Sequence, residues 1–408
     1  MNHVINTFID KALPLVVELE TELTRRPAIA PVSGGEGELD KAEFLETWLT
    51  AQGLTALERH DAPDPKAKGG KRPNLVATLP GKTDARRLWI MSHLDVVPPG
   101  ERTLWKSDPW TVVHTEGRLI GRGVEDNQQG LTSSVIAALA LAKHGIKPPH
   151  TVKLLFVADE EMGSEYGIRW LLKNRSLFSP EDMVLIPDGG DSQGATIEIA
   201  EKNLLWLRCI TTGVQAHGSR PDQGVNAHLA AADLALSLHT GLSQRFAQRD
   251  ALFEPDYSTF QPTKKEANVP NINTIPGEDV FYMDMRILPR YPITTVHEEI
   301  RRIQALIEAK YQVHITCTPV QTMESTPTLP DTPLVGLLSR AVKEIYQVDT
   351  RLIGVGGGTV AAHLRNAGIP ALVWSRMDNT AHQPNEYAVI EHILGDAKVM
   401  AWLMMAEF

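Results

Sequence analysis

Apolar positions in the first 200 residues fall into short unbroken runs separated by stretches with a helical period. The runs predict strands at "NLVATLP" (74–80), "RRLWIMSHLDVV" (86–97), "TVKLLFVAD" (151–159) and "DMVLIPDGG" (182–190). Between the second and third lies "GLTSSVIAALALAKHG" (130–145), a nearly all-apolar helix that Gly145 ends. Another strand, "IPALVWSR" (369–376), comes near the C-terminus, followed by a closing helix from about Glu391. Apolar strands alternating with helices predict an α/β domain with a mixed, largely parallel sheet between helices. The opening stretch reads as one amphipathic helix, and 60–73, rich in Pro, Gly and Lys, as an exposed loop.

The middle of the chain has a different order. "NLLWLRCITTG" is a strand, "VNAHLAAADLALSLHTGLSQRF" a helix, and a long loop covering 251–271 follows. "NINTIPG" and "EDVFYMDMRILP" then form two strands around a Pro-Gly turn. The helix at 293–311 places Val296, Ile300, Ile303 and Ile307 on one face, and "QVHITCTPV" closes the series. This βαββαβ order is the split βαβ arrangement of an inserted α+β domain. The predicted boundaries are 1–199 and 323–408 for the main domain and 200–322 for the insert.

Composition narrows the function classes. Forty Lys and Arg against fifty Asp and Glu give a net charge of −10, which argues against nucleic-acid or anionic-membrane partners. No apolar stretch reaches spanning length, and the N-terminus lacks the basic, apolar, small-residue order of a signal peptide. Only Cys209 and Cys317 occur, which predicts no disulfide framework, two buried thiols and a cytoplasmic setting.

Ligands of open α/β sheets bind beyond the carboxyl ends of the strands, and there the polar residues collect. His93 and Asp95 follow "LWIMS", and Asp126 lies in "GRGVEDNQQG". Glu160 and Glu161 follow "KLLFVAD", Asp188 follows "MVLIP", and His382 follows "ALVWSR". Carboxylates gathered at one sheet edge need a compensating cation. Imidazole and carboxylate without cysteine suit zinc, manganese or cobalt. Five ligands with three carboxylates match two metals sharing one bridging carboxylate. Asp95, two residues after His93 in an extended segment, is placed to orient that imidazole, the alternative being a solvated turn acid.

The motifs "HLDVVPPG", "GRGVEDNQQG", "ADEEMGSEYG", "PDGG", "AHGSRPDQGVNA", "NTIPG" and "HQPNEY" occur in a diagnostic order. In this the chain resembles the dinuclear zinc hydrolases that include acetylornithine deacetylase, succinyl-diaminopimelate desuccinylase, aminoacylase and bacterial glutamate carboxypeptidase. The resemblance covers about residues 10–408 and is strongest to the deacetylase–desuccinylase branch. It implies one zinc on His93 and Asp188, a second on Glu161 and His382, and Asp126 as the bridge. It also implies Glu160 as the base that activates water, so Glu160 and Asp95 form the catalytic set. Asp159 is left without a role and expected in solvent. His217, Asn273, Arg286, Gly358 and Thr359 are implied as substrate contacts, with His217 reaching the site of a second subunit across a homodimer built on the lid domain. A cis peptide between Asp126 and Asn127 is a further implication.

The implied reaction is hydrolysis of the amide bond of an N-acyl amino acid. A dipeptidase or carboxypeptidase of the same family is the alternative, because the resemblance associates Asp at position 188 with peptidase-like members. Gln128 and Gln129 depart from the lysine and glycine usual in the loop after the bridging aspartate. Two remoter readings are a nucleotide-binding protein and a non-catalytic binding protein. "RLIGVGGGTVAAHL" prompts the first, but Thr359 stands where the third glycine belongs and no Walker lysine follows. The second requires loss of Glu160 or a ligand, and none is lost.

Overall fold

The computed structural model describes residues 3–408 and divides into two compact units. The first comprises 1–199, 328–352 and 363–408, and the second 200–327 and 353–362. The second unit thus runs a few residues past the boundary at 322 and also takes the glycine-rich turn near 356.

The large sheet is mixed, in the order Leu57–Pro63, Lys71–Leu79, His150–Val157, Thr83–His93, Met183–Asp191, Ala371–Arg376, Thr196–Glu201 and Arg351–Val355. Thr83–His93 runs parallel to both its neighbours, and Ala371–Arg376 runs parallel to Met183–Asp191. Four adjacent strands therefore end at the same edge, so their following loops share one place. The helix Gly130–Lys143 is buried along most of its length, as its apolar sequence demands. Its first residue must be glycine, because a Cβ there would lie 2.3 Å from the carbonyl oxygen of Pro187 within the Met183–Asp191 strand.

Two expectations for this unit are corrected. The N-terminal stretch forms two helices, His3–Asp10 and Leu13–Thr24, because Pro14 fits the first turn of a new helix but not the interior of a continuous one. Residues 60–73 are not simply an exposed loop, since Ala62 pairs with Arg72 and Asp61 with Pro73 in an antiparallel ladder. Lys66, Lys68, Gly69 and Gly70 at the tip are exposed as expected, but the Arg72 guanidinium is buried and holds Glu38, Asp64 and Asp159.

In the second unit a four-stranded antiparallel sheet has the order Thr259–Lys265, Glu278–Ile287, Asn203–Thr212 and His314–Met323. Helices Ala227–Arg245 and Ile293–Tyr311 pack against it, and Leu205, Leu207, Leu234, Leu238, Ile300 and Ile303 share their core. Burying each such side chain contributes roughly 1.5–3 kcal/mol. The βαββαβ order is observed, but its third element is Thr259–Lys265, within the stretch expected to be loop. Pro262 is tolerated there because the strand is an edge, bulged between Pro262 and Lys264. In "NINTIPG" only Thr274–Ile275 is a strand, and it pairs with Ala216–His217. Cys209 and Cys317 face each other on paired strands as free thiols, with Cys317 only partly buried. No helix among the described residues is long and apolar enough to cross a membrane.

Candidate metal centre

At the shared strand edge the first unit gathers two trios, His93–Asp126–Asp188 and Asp126–Glu161–His382. Within each trio one ligand-type atom per residue lies within 4.8 Å of the others. All five residues expected to converge are therefore together, and Asp126 belongs to both trios. Its Oδ1 lies 2.8 Å from His93 Nε2, and its Oδ2 lies 3.1 Å from His382 Nε2. Asp188 Oδ2 is 3.7 Å from His93 Nε2, and Glu161 is 3.1 Å from His382 Nε2.

The surroundings fix how each group points. His93 Nδ1 is 3.0 Å from the carbonyl oxygen of Asp95, which only accepts, so that nitrogen carries a proton and Nε2 is the atom the neutral ring would offer to a metal. The carbonyl of Asp95 thus orients the ring, and its carboxylate Oδ1 also lies 3.5 Å from Nδ1. The two carboxylate oxygens accept the backbone N–H groups of Glu160 and Glu161, each at 3.0 Å. Asn127 donates to Asp188 Oδ1 at 2.7 Å and to the Pro187 carbonyl at 2.7 Å, and the peptide before it is cis. Gln128 reaches Thr24 and Gln129 reaches Ser375 and the Arg376 carbonyl, so neither unusual loop side chain points into the trios.

Electrostatics favour a cation here. Hydrogen bonds that His382 donates to Asp126 and Glu161 hold its pKa up at about 10. Burial works against the His93 imidazolium, yet Asp188, Asp126 and Asp95 raise its pKa well above the ordinary value. Burial raises the carboxyl of Asp126, but His382 and His93 overcome it and hold that acid below its usual range. Glu160 is pushed well up, first by burial and then by Asp188, Glu161 and Asp95. The donor set of imidazole and carboxylate suits a divalent cation of the zinc, cobalt or manganese type.

Asp159 is corrected: it is buried, 3.2 Å from Arg72, and its N–H donates to Glu38 at 3.2 Å. It adopts φ of 64° and opens the turn that carries Glu160 and Glu161. Glu38 and Arg72, which anchor it, were not among the expected site residues. The signal was a pair of opposite charges flanked by residues of otherwise buried segments, with no spacing that links them.

The five expected substrate contacts belong to the second unit. His217 and Asn273 are neighbours, since Gly218 N–H donates to the Asn273 carbonyl at 2.6 Å and His217 pairs with Thr274. Ser219 N–H donates to His217 Nδ1 at 3.2 Å, which leaves the ring proton on Nε2. Arg286 is gripped on two nitrogens by Asp284, at 2.7 and 2.9 Å, and donates to the Gly356 carbonyl at 2.8 Å. It is thus half-buried and oriented toward the turn that carries Gly358, not a free strand arginine. The Thr359 hydroxyl bonds to Glu201.

Comparison with known proteins places these features in a family. A metallohydrolase of Methanocaldococcus jannaschii, itself uncharacterized, is 37% identical over 94% of this chain and 97% of its own length. A succinyl-diaminopimelate desuccinylase of Nautilia profundicola is 27% identical, covering 93% of this chain and 95% of its own. Among solved structures, an aminopeptidase of Bacillus cereus superposes with a TM-score of 0.75 at 19% identity, covering 96% and 97% of the two chains. The family model described as Peptidase family M20/M25/M40 matches residues 89–406, and the chain belongs to that family as a metal-dependent amidohydrolase.

Proposed function

We propose that this protein hydrolyses the amide bond of an N-acyl amino acid, using two zinc ions held by His93, Asp126, Glu161, Asp188 and His382. One observation carries the dinuclear reading: Asp126 turns one carboxylate oxygen to each trio. Bound divalent ions would acidify water and polarise the scissile carbonyl. Glu160 then takes the proton of the attacking water and returns it to the nitrogen of the leaving amine. His217, with its proton on Nε2, would donate to the oxygen that becomes negative at the tetrahedral stage. In this reading that histidine comes from the second subunit of a homodimer. Asn273, Arg286, Gly358 and Thr359 would hold the substrate's free carboxylate, and the pinned guanidinium of Arg286 supports that role.

The desuccinylase named among the relatives supports an N-acyl amino acid as substrate class. Asp188 supports a second reading, a dipeptidase or carboxypeptidase. Both are tested by one screen of N-acyl amino acids against dipeptides, with zinc, cobalt or manganese added to chelator-treated enzyme. Preferred turnover of acyl amino acids supports the first reading, and turnover of peptides alone replaces it with the second. No hydrolysis with any metal would sink both.

A further inference from the structure

Two buried carboxylates beside the metal trios take no part in the chemistry above. Glu125 precedes Asp126 in its loop, and Glu386 follows His382 in its own. Both are almost fully buried, at 2% and 1% exposure. Adding negative charge next to an acidic cluster is costly, so each carboxylate must be matched by donors.

Those donors come from the opposite loop. Glu386 Oε2 accepts from Arg122 Nη1 at 2.6 Å and from the backbone N–H of Gly123 at 3.0 Å. Its Oε1 accepts the backbone N–H groups of Glu125 at 3.0 Å and Asp126 at 3.1 Å. In return, Glu125 Oε1 accepts the N–H of Asp378 at 2.8 Å, and its Oε2 accepts the Thr380 N–H and, at 2.8 Å, the Thr380 hydroxyl. Thr380 stands two residues before His382. Each loop thus supplies the acid that binds the other loop's backbone. The short antiparallel pairing of Tyr387 with Ile120 ties the same two segments further along.

We propose that Glu125 and Glu386 form a reciprocal clasp that sets the spacing between Asp126 and His382, making both glutamates positioning residues for the half of the site that His382 completes. The proposal rests on the metal-site reading above. A carboxylate suits the task because each of its oxygens can accept two fixed N–H groups, whereas a glutamine offers one acceptor and one donor. With Gln at 386, the Nε2 hydrogens would face Gly123 N–H and Arg122, or Glu125 and Asp126 N–H, and one side of the clasp would open.

The test titrates zinc into full-length, chelator-treated protein by calorimetry, for the wild type and for Glu386→Gln and Glu125→Gln. Amide hydrogen exchange over 122–128 and 378–386 is followed in the same metal-free samples. The wild type should bind two ions. Each variant should lose about tenfold or more in affinity for one ion, with little change for the other, and exchange should quicken in the loop opposite the substitution. Loss of global stability alone would shift both affinities together, so the split separates positioning from support. If Glu386→Gln does not fold, Thr380→Val removes one arm of the clasp and should give the smaller split. Two ions bound with wild-type affinities and unchanged loop exchange would overturn the clasp. Absence of zinc binding in the wild type would instead overturn the metal-site reading on which it rests.

Discussion

Glu160 and Glu161 are adjacent in the chain, yet their surroundings give them different chemistry. Glu161 turns to His382, while the carboxyl of Glu160 is raised by burial and by neighbouring acids. Replacing Glu160 with Gln should lower turnover by roughly 10²–10⁴-fold, the usual contribution of a positioned base, and leave metal content near that of the wild type. Measuring both on one preparation checks the assignment, and substantial residual activity would remove Glu160 from its role. A second residue, Glu20, is not among the trios, and its carboxyl is fully buried. Burial raises its pKa to about 8, with a Thr132 hydrogen bond and Lys41 opposing and Glu386 adding to the rise. The folded chain therefore keeps a proton that the unfolded chain has lost, and stability falls as pH rises from about 4.5 toward 8. Lys41, lowered by burial to about 8, acts above that window and with the opposite sign. Glu20→Gln should thus stabilise the protein increasingly between about pH 5 and pH 8, by at most about 1.4 kcal/mol per pH unit. Equal melting-temperature differences at both ends would contradict this.

At the scale of elements, a turn and two loops carry three of the five candidate ligands and the base, and buried acids hold their backbones. Asp95 closes the edge of the Thr83–His93 strand and accepts both N–H groups of the 160–161 turn. Glu38, Arg72 and Asp159 hold the start of the same turn. Asp95→Asn keeps the carbonyl that orients His93 but leaves one turn N–H facing an amide donor. We expect about a 10–100-fold loss of metal affinity, the scale found for groups that orient ligands, with the fold retained. Wild-type affinity in that variant, with far-ultraviolet circular dichroism unchanged, would mean the turn is held by the Arg72 group alone. The helix and strand periods were legible in the sequence because apolar spacing reports burial directly. The paired strands at 57–63 and 71–79 were not, since Lys, Arg and Asp there signal solvent until their partners are known.

For the whole molecule, the proposed borrowing of His217 makes a prediction about subunit exchange. Glu160→Gln and His217→Ala variants are each expected to be inactive. Mixing them under conditions that exchange subunits should restore activity, because one hybrid site combines a wild-type base with a wild-type histidine. Demonstrated exchange without recovery would mean that His217 acts within its own subunit or not at all. Metal removal acts on the same scale: chelation should abolish hydrolysis, and added zinc, cobalt or manganese should restore it.

The sequence by itself determined the α/β class, an inserted α+β unit apart from its edge strand, and the five residues of the trios. Strand ends and motif order are local properties, and the parallel strands carry those ends to one edge. The sequence could not reveal what holds them there. Glu38 with Arg72, Glu125 with the 378–380 backbone and Glu386 with the 122–126 loop join positions far apart in the chain. A single sequence carries no spacing signal for such pairs. The same limit hid the edge strand at 259–265, whose exposed polar positions acquire a partner only when Glu278–Ile287 is laid beside them. Burial of charge was decided by tertiary structure, because a charged side chain enters the interior only where folding has already placed its counterpart.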